Sequence, residues 1–115
     1  MIIHSLKDQP EFNLVNKQGK KVYSPYFILV KATDLPIPPY DITNLIFLGM
    51  KVSKKLGKAV IRNKIKRRIR HLIQIISKHP KLQPKRLGII IIPKKGFEKI
   101  DFTLLANEFE KILLE

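Results

Sequence analysis

The sequence predicts an α/β (α+β) fold: a two-layer sandwich of about four strands and three helices, in the order αβββαβα. Three observations lead there. Ile61, Ile65, Ile69, Leu72, Ile73 and Ile76 recur at spacings of three and four, the mark of one buried helical face. Leu87–Ile92 (LGIIII) is an unbroken apolar run, as in a central strand buried on both faces. The chain has 115 residues, 44% of them hydrophobic. That is enough for one modest core and too much for a disordered basic tail, so residues 1–115 are expected to form a single domain.

From the N-terminus, Asp8 to Lys17 clusters Phe12, Leu14 and Val15 on one side and ends near Gly19, which reads as a short helix with a glycine stop. Val22 to Thr33 is rich in β-branched and aromatic residues and reads as strand, interrupted at Ser24-Pro25 because proline cannot donate to a ladder. Asp34 to Asp41 (DLPIPPYD) is a loop, since its prolines exclude regular structure. Leu45 to Val52 is the next strand, and Ser53-Lys54-Lys55-Leu56-Gly57 turns into the long helix. That helix should run from about Lys58 to Ser77, with Pro80 beyond its end. Pro80 to Arg86 is a basic connector to the isoleucine strand, which Pro93-Lys94-Lys95-Gly96 closes. From Asp101, a plausible N-cap, Phe102, Leu105, Ala106, Phe109, Ile112 and Leu113 mark a last amphipathic helix.

Charge narrows the function. The net charge is +14, and ten of the 23 Lys and Arg residues lie between Lys51 and Arg70, where no acid occurs. The acid-free run extends from Ile42 to Phe97 and holds 16 of the 23 bases. Crowded like charges repel and destabilise a compact state, so folding does not explain this segregation, whereas a polyanionic partner does. On the long helix Asn63, Lys64, Arg67 and Arg70 fall opposite the isoleucines, with Lys66 and Arg68 at the borders of the apolar stripe and Arg62 along its edge. An ordinary solvated face would mix signs at i,i+4 spacing, and this one has no acid to pair. The absence of cysteine rules out disulfides and Cys-based zinc sites and fits a reducing cytoplasm. No apolar run reaches a membrane span, and MIIHSLKDQPEF lacks a signal-peptide core.

The ordered motif Val52-Ser53-Lys54-Lys55, Gly57-Lys58-Ala59-Val60, Arg62-Asn63-Lys64, Lys66-Arg67 and Arg70 resembles the signature of the bacterial ribonuclease P protein subunit. Leu6-Lys7, Glu11-Phe12, Val15, Gly19 and Ser24-Pro25-Tyr26-Phe27 are similar to that family's N-terminal part. The C-terminal third matches in pattern only. Two positions depart. Phe47 stands where the family usually has Arg, and Lys64 replaces the last Arg of an Arg-Asn-Arg core, keeping the charge but losing the planar fork. The resemblance implies a left-handed crossover between the strands flanking the long helix, where chain physics alone favours a right-handed one.

The resemblance further implies a subunit of an endoribonuclease whose chemistry belongs to a catalytic RNA using Mg²⁺, removing the 5′ leader of precursor tRNA in the cytoplasm. On that reading Lys54, Lys55, Lys58, Arg62, Asn63, Lys64, Lys66, Arg67 and Arg70 grip the catalytic RNA. Phe12, Phe27, Val30 and Lys51 hold the leader in a cleft floored by the sheet. The division is physically reasonable, because cations neutralise backbone phosphate without reading sequence and aromatic faces accept any single-stranded base. No catalytic residue and no protein-bound metal is expected: His4, His71 and His79 lack ligand spacing, and Ser53 has no base to activate it. A ribosomal or other structural RNA-binding protein is the alternative that charge alone would allow. DNA is disfavoured because the helix has few base-reading side chains and no helix-turn-helix partner. A membrane surface is disfavoured because the flanking strands need the helix's apolar face.

Overall fold

The isoleucine run lies in the middle of a sheet. The computed structural model describes residues 1–82 and 86–114. Its strands are β1 (Ile2–Ser5), β2 (Lys20–Tyr23), β3 (Phe27–Ala32), β4 (Leu45–Met50) and β5 (Arg86–Pro93). Its helices are α1 (Gln9–Gln18), α2 (Ala59–Ser77) and α3 (Phe102–Leu113). The strands lie in the order β1-β4-β5-β3-β2. β5 runs parallel to β4 and antiparallel to β3, so both of its edges are paired. The expected sheet of about four strands thus gains a fifth. β1 is four residues long and too short for alternation to show; it forms by pairing parallel to β4, from Ile2 opposite Leu45 to Ser5 opposite Leu48.

Alternation divides the sheet's side chains between two cores. Phe27, Leu29, Ile46, Leu48, Leu87, Ile89 and Ile91 pack against the α2 stripe and against Leu105, Phe109 and Leu113 of α3. Each such fully buried aliphatic side chain contributes roughly 1.5–3 kcal/mol before chain entropy is counted. On the opposite face, Val30, Ala32, Leu45, Phe47 and Ile90 pack with Leu6, with Val15 of α1, and with Leu35 and Ile37 of the proline loop. The sandwich is therefore covered on its second face as well, by α1 and that loop.

Local chemistry sets the element ends. Asp8 caps α1 by accepting from the Glu11 amide at 3.1 Å, and the Glu11 carboxylate accepts in return from the Lys7 amide. Gly19 does end α1, but with φ −87 rather than a left-handed turn. Glycine is needed there for space, because a Cβ would lie 2.6 Å from the Val15 carbonyl oxygen and 2.7 Å from Val30 Cγ1. Asp101 caps α3 by accepting from the Thr103 amide at 2.8 Å.

The proline loop is held from outside itself. Prolines supply no N–H, so the carbonyls around them need other donors. Arg86, the first residue of β5, meets that need: its guanidinium donates to the carbonyls of Leu35, Ile37, Pro39 and Ile42. It also lies 5.5 Å from the centre of the Phe47 ring. Phe47 is only 2% exposed and meets a guanidinium supplied by the neighbouring strand. Of the expected basic connector, residues 83–85 lie outside the described residues.

Candidate nucleic-acid interface

Burial of the isoleucines fixes which way α2 faces. Ile65, Ile69, Leu72, Ile73 and Ile76 are sealed in the core, and Asn63, Lys64, Arg67 and Arg70 stand exposed on the outer face. Lys66 and Arg62 are half-buried at the borders. Among the described residues Arg62 Nε is buried with no hydrogen-bond partner. Arg68 points elsewhere. It donates to the Phe97 carbonyl at 2.6 Å and to the Ile100 carbonyl, and lies 5.8 Å from the centre of the Phe102 ring. This arginine ties the short 3-10 turn Phe97–Lys99 to α2 and belongs to the scaffold.

The start of α2 completes the ridge. Lys54–Leu56 form a 3-10 turn, followed by Gly57 at φ +138, a conformation that favours glycine. A Cβ at Gly57 would also lie 3.0 Å from Ile61 Cδ1. The turn leaves Lys54, Lys55 and Lys58 exposed around the first turn of α2. That end has no side-chain cap and no acidic residue, so its free amides and positive dipole end add to the lysines in attracting phosphate.

A second basic surface lies on the α1 side of the sheet. Phe12 is half-buried and lies over Gly49: a Cβ there would meet Phe12 Cε1 at 2.5 Å and Leu6 Cδ1 at 2.8 Å. Beyond α1 the sheet is open. Tyr23 pairs with Ile28, and Ile28 with Ile92. Met50 pairs with Ile91, and the Lys51 amide donates to the Ile91 carbonyl at 3.0 Å, which places Lys51 level with Ile92. Directly paired residues point to the same face. The row Tyr23, Ile28, Ile92 and Lys51 therefore runs across the sheet beside Phe12. No acid occurs between Glu11 and Asp34, or within any strand.

Two of the four expected leader residues are not available to a ligand. Phe27 is 0% exposed and points to the opposite face, its ring centre 4.6 Å from that of Phe109 and 6.4 Å from that of Phe97. Val30 is on the α1 face but also 0% exposed, since it packs in the α1 core. The composition of YFILV shows a strand but not which of its residues face the cleft. The structure places half-buried Ile28 and Ile92, a directly paired couple, on the α1 face of the sheet. Their signal in the sequence was parity with Val30 and Ile90, readable once a register is known.

Fold and surface together define a basic α+β protein built to face a polyanion, and the comparisons with known proteins give that class a family. The Ribonuclease P family model matches residues 3–115. The ribonuclease P protein component of Rickettsia canadensis (strain McKiel) is 55% identical over 116 residues, covering 100% of this chain and 98% of the relative. That of Rickettsia akari (strain Hartford) is 56% identical over 115 residues, covering 99% and 98%. Among solved structures, the Staphylococcus aureus RNase P protein gives a TM-score of 0.73 at 30% identity, covering 96% of this chain and 92% of that one. The Thermotoga maritima RNase P protein gives 0.72 at 29% identity, covering 96% of each. The chain belongs to the ribonuclease P protein family.

Proposed function

We propose that this chain acts as the protein subunit of ribonuclease P in tRNA 5′ maturation, gripping the catalytic RNA with α2 and holding the precursor's 5′ leader on the α1 side of the sheet. The observation that carries the first contact is the acid-free outer face of α2, anchored by isoleucines on its inner face. Lys54, Lys55 and Lys58 and the uncapped helix start take phosphates at one end. Asn63, Lys64, Arg67 and Arg70 continue the contact along about two turns, with Arg62 and Lys66 at its margins. The leader lies against the Phe12 ring, over Ile28 and Ile92, with Lys51 neutralising phosphate.

Cleavage is assigned to the RNA. Mg²⁺ supplies there the charge neutralisation and nucleophile activation that phosphodiester hydrolysis needs. Among the described residues no group of three or more His, Asp or Glu gathers that could hold a metal ion. The protein's part is positioning: it offsets RNA–RNA repulsion and fixes the leader so that the cleavage site lies in place. Among the described residues no helix is long and apolar enough to cross a membrane.

Reconstitution with the catalytic RNA and a labelled precursor tRNA tests the proposal. The protein should accelerate leader removal most at low Mg²⁺, where unneutralised phosphate charge is greatest. Binding to the catalytic RNA without any acceleration would leave a purely structural RNA-binding role.

A further inference from the structure

We infer that Tyr23, on the edge strand β2, is a further leader-binding residue that engages nucleotides several positions upstream of those held at Phe12 and Lys51, and so sets how much leader length the enzyme senses. The inference rests on the leader reading above and extends it across the sheet. Tyr23 is 69% exposed. Its register with Ile28 places it on the cleft face, in the row that ends at Lys51. Exposed Lys20 and Lys21 precede it on β2, and no acid lies between Glu11 and Asp34.

A tyrosine on an edge strand also has a plain role, since aromatic residues favour strands and pair across them. Cross-strand packing buries the ring that does it, however, and this ring is largely open to solvent. An exposed aromatic face beside lysines, continuous with an apolar floor, is the chemistry that binds single-stranded RNA of any sequence. Geometry sets the position. From the level of β4 to β2 is three strand spacings, about 14 Å at about 4.8 Å each. At a stacked rise of about 3.4 Å, that span takes about four nucleotides, and fewer if the strand is extended. Short leaders therefore end before Tyr23 and longer ones reach it.

The test is a series of precursor tRNAs with leaders from none to about ten nucleotides, bound to the holoenzyme reconstituted with its catalytic RNA. Tyr23→Ala should leave affinity unchanged for leaders of one or two nucleotides and lower it about 5- to 150-fold once the leader spans the sheet, the range for loss of one stacked base. Tyr23→Phe should restore binding. Tyr23→Thr keeps strand propensity while removing the ring, and should reproduce the alanine result at an unchanged melting temperature. A photoreactive nucleotide four or five positions upstream of the cleavage site should crosslink to β2. If Tyr23→Ala and Tyr23→Thr bind every leader normally while Phe12→Ala shows leader dependence, the leader leaves the sheet before β2 and the inference fails alone. Leader-independent behaviour by Phe12→Ala and the Tyr23 variants would overturn the cleft reading itself. Equal loss by the Tyr23 variants on substrates with and without a leader would place Tyr23 against the tRNA body or the catalytic RNA instead.

Discussion

Phe12 and Phe27 are both aromatic residues in short apolar segments, and they have opposite fates. Phe27 is enclosed between Phe97 and Phe109, and Phe12 lies half-open over Gly49. Phe27→Ala should cost about 3–5 kcal/mol of stability, read as a lowered melting temperature, with no selective loss on leader-bearing substrates. Phe12→Ala should leave melting nearly unchanged, weaken precursor tRNA binding by about 1–3 kcal/mol, and spare mature tRNA. An early-melting Phe12→Ala protein would return that ring to the core. Arg62 makes a different contrast, between charge and shape. Half-buried at the border of the apolar stripe, Arg62→Lys should lose binding to the catalytic RNA at an unchanged melting temperature, because lysine keeps the charge but not the fork. Equal affinity for the two proteins would make Arg62 a packing residue. The resemblance nominates Phe12, Phe27 and Val30 alike, and for the two strand residues side-chain identity says nothing of which face each takes. That depends on a register fixed by partners tens of residues away.

Among the elements, α2 was the most legible. Its period of three and four placed Arg67 and Arg70 outside and Arg68 at a border, and the structure puts Arg68 onto the Phe97 and Ile100 carbonyls. Arg67→Ala and Arg70→Ala should each lower the salt slope of binding to the catalytic RNA by about one contact while melting normally. Arg68→Ala should do the reverse, with an unchanged slope and a loss of about 1.5–3 kcal/mol in stability as charged hydrogen bonds disappear. Titrations at several salt concentrations, paired with melting curves, separate the two behaviours. A shared phenotype would mean that the helix has no inner and outer arginines. Other elements were less legible. β1 has four residues and owes its existence to β4. The prolines of the loop announce its irregularity, but its tie to Arg86 spans 44 to 51 residues of sequence and leaves no local trace.

For the molecule as a whole, the segregation of charge makes RNA affinity a steep function of ionic strength. If the ridge makes roughly six to ten phosphate contacts, affinity should fall about 10³- to 10⁵-fold between roughly 50 and 200 mM salt. A shallow dependence would mean that few of these cations reach phosphate. The order of residues carries this much, because net charge and its asymmetry along the chain are both read directly from it. The positions of the two proposed RNA surfaces relative to one another are set by topology, which composition does not contain.

The sheet order β1-β4-β5-β3-β2 places the strand latest in sequence at the centre. Until β5 is made, the emerging chain has only two separate two-stranded pieces, β1 with β4 and β2 with β3, and ribbons of that size are marginal in water. Adjacent residues of β5 then serve both faces of the sheet, with Ile91 in the core behind α2 and Ile92 on the α1 side. A chain ending at Ser77 should therefore show little sheet by circular dichroism and no cooperative melt, although it carries every residue of the basic ridge. A cooperative transition in that fragment would sink the idea. On the ribosome this chain must wait for its last strand, and the basic ridge of α2 and the open face beside α1 take their places in the same event.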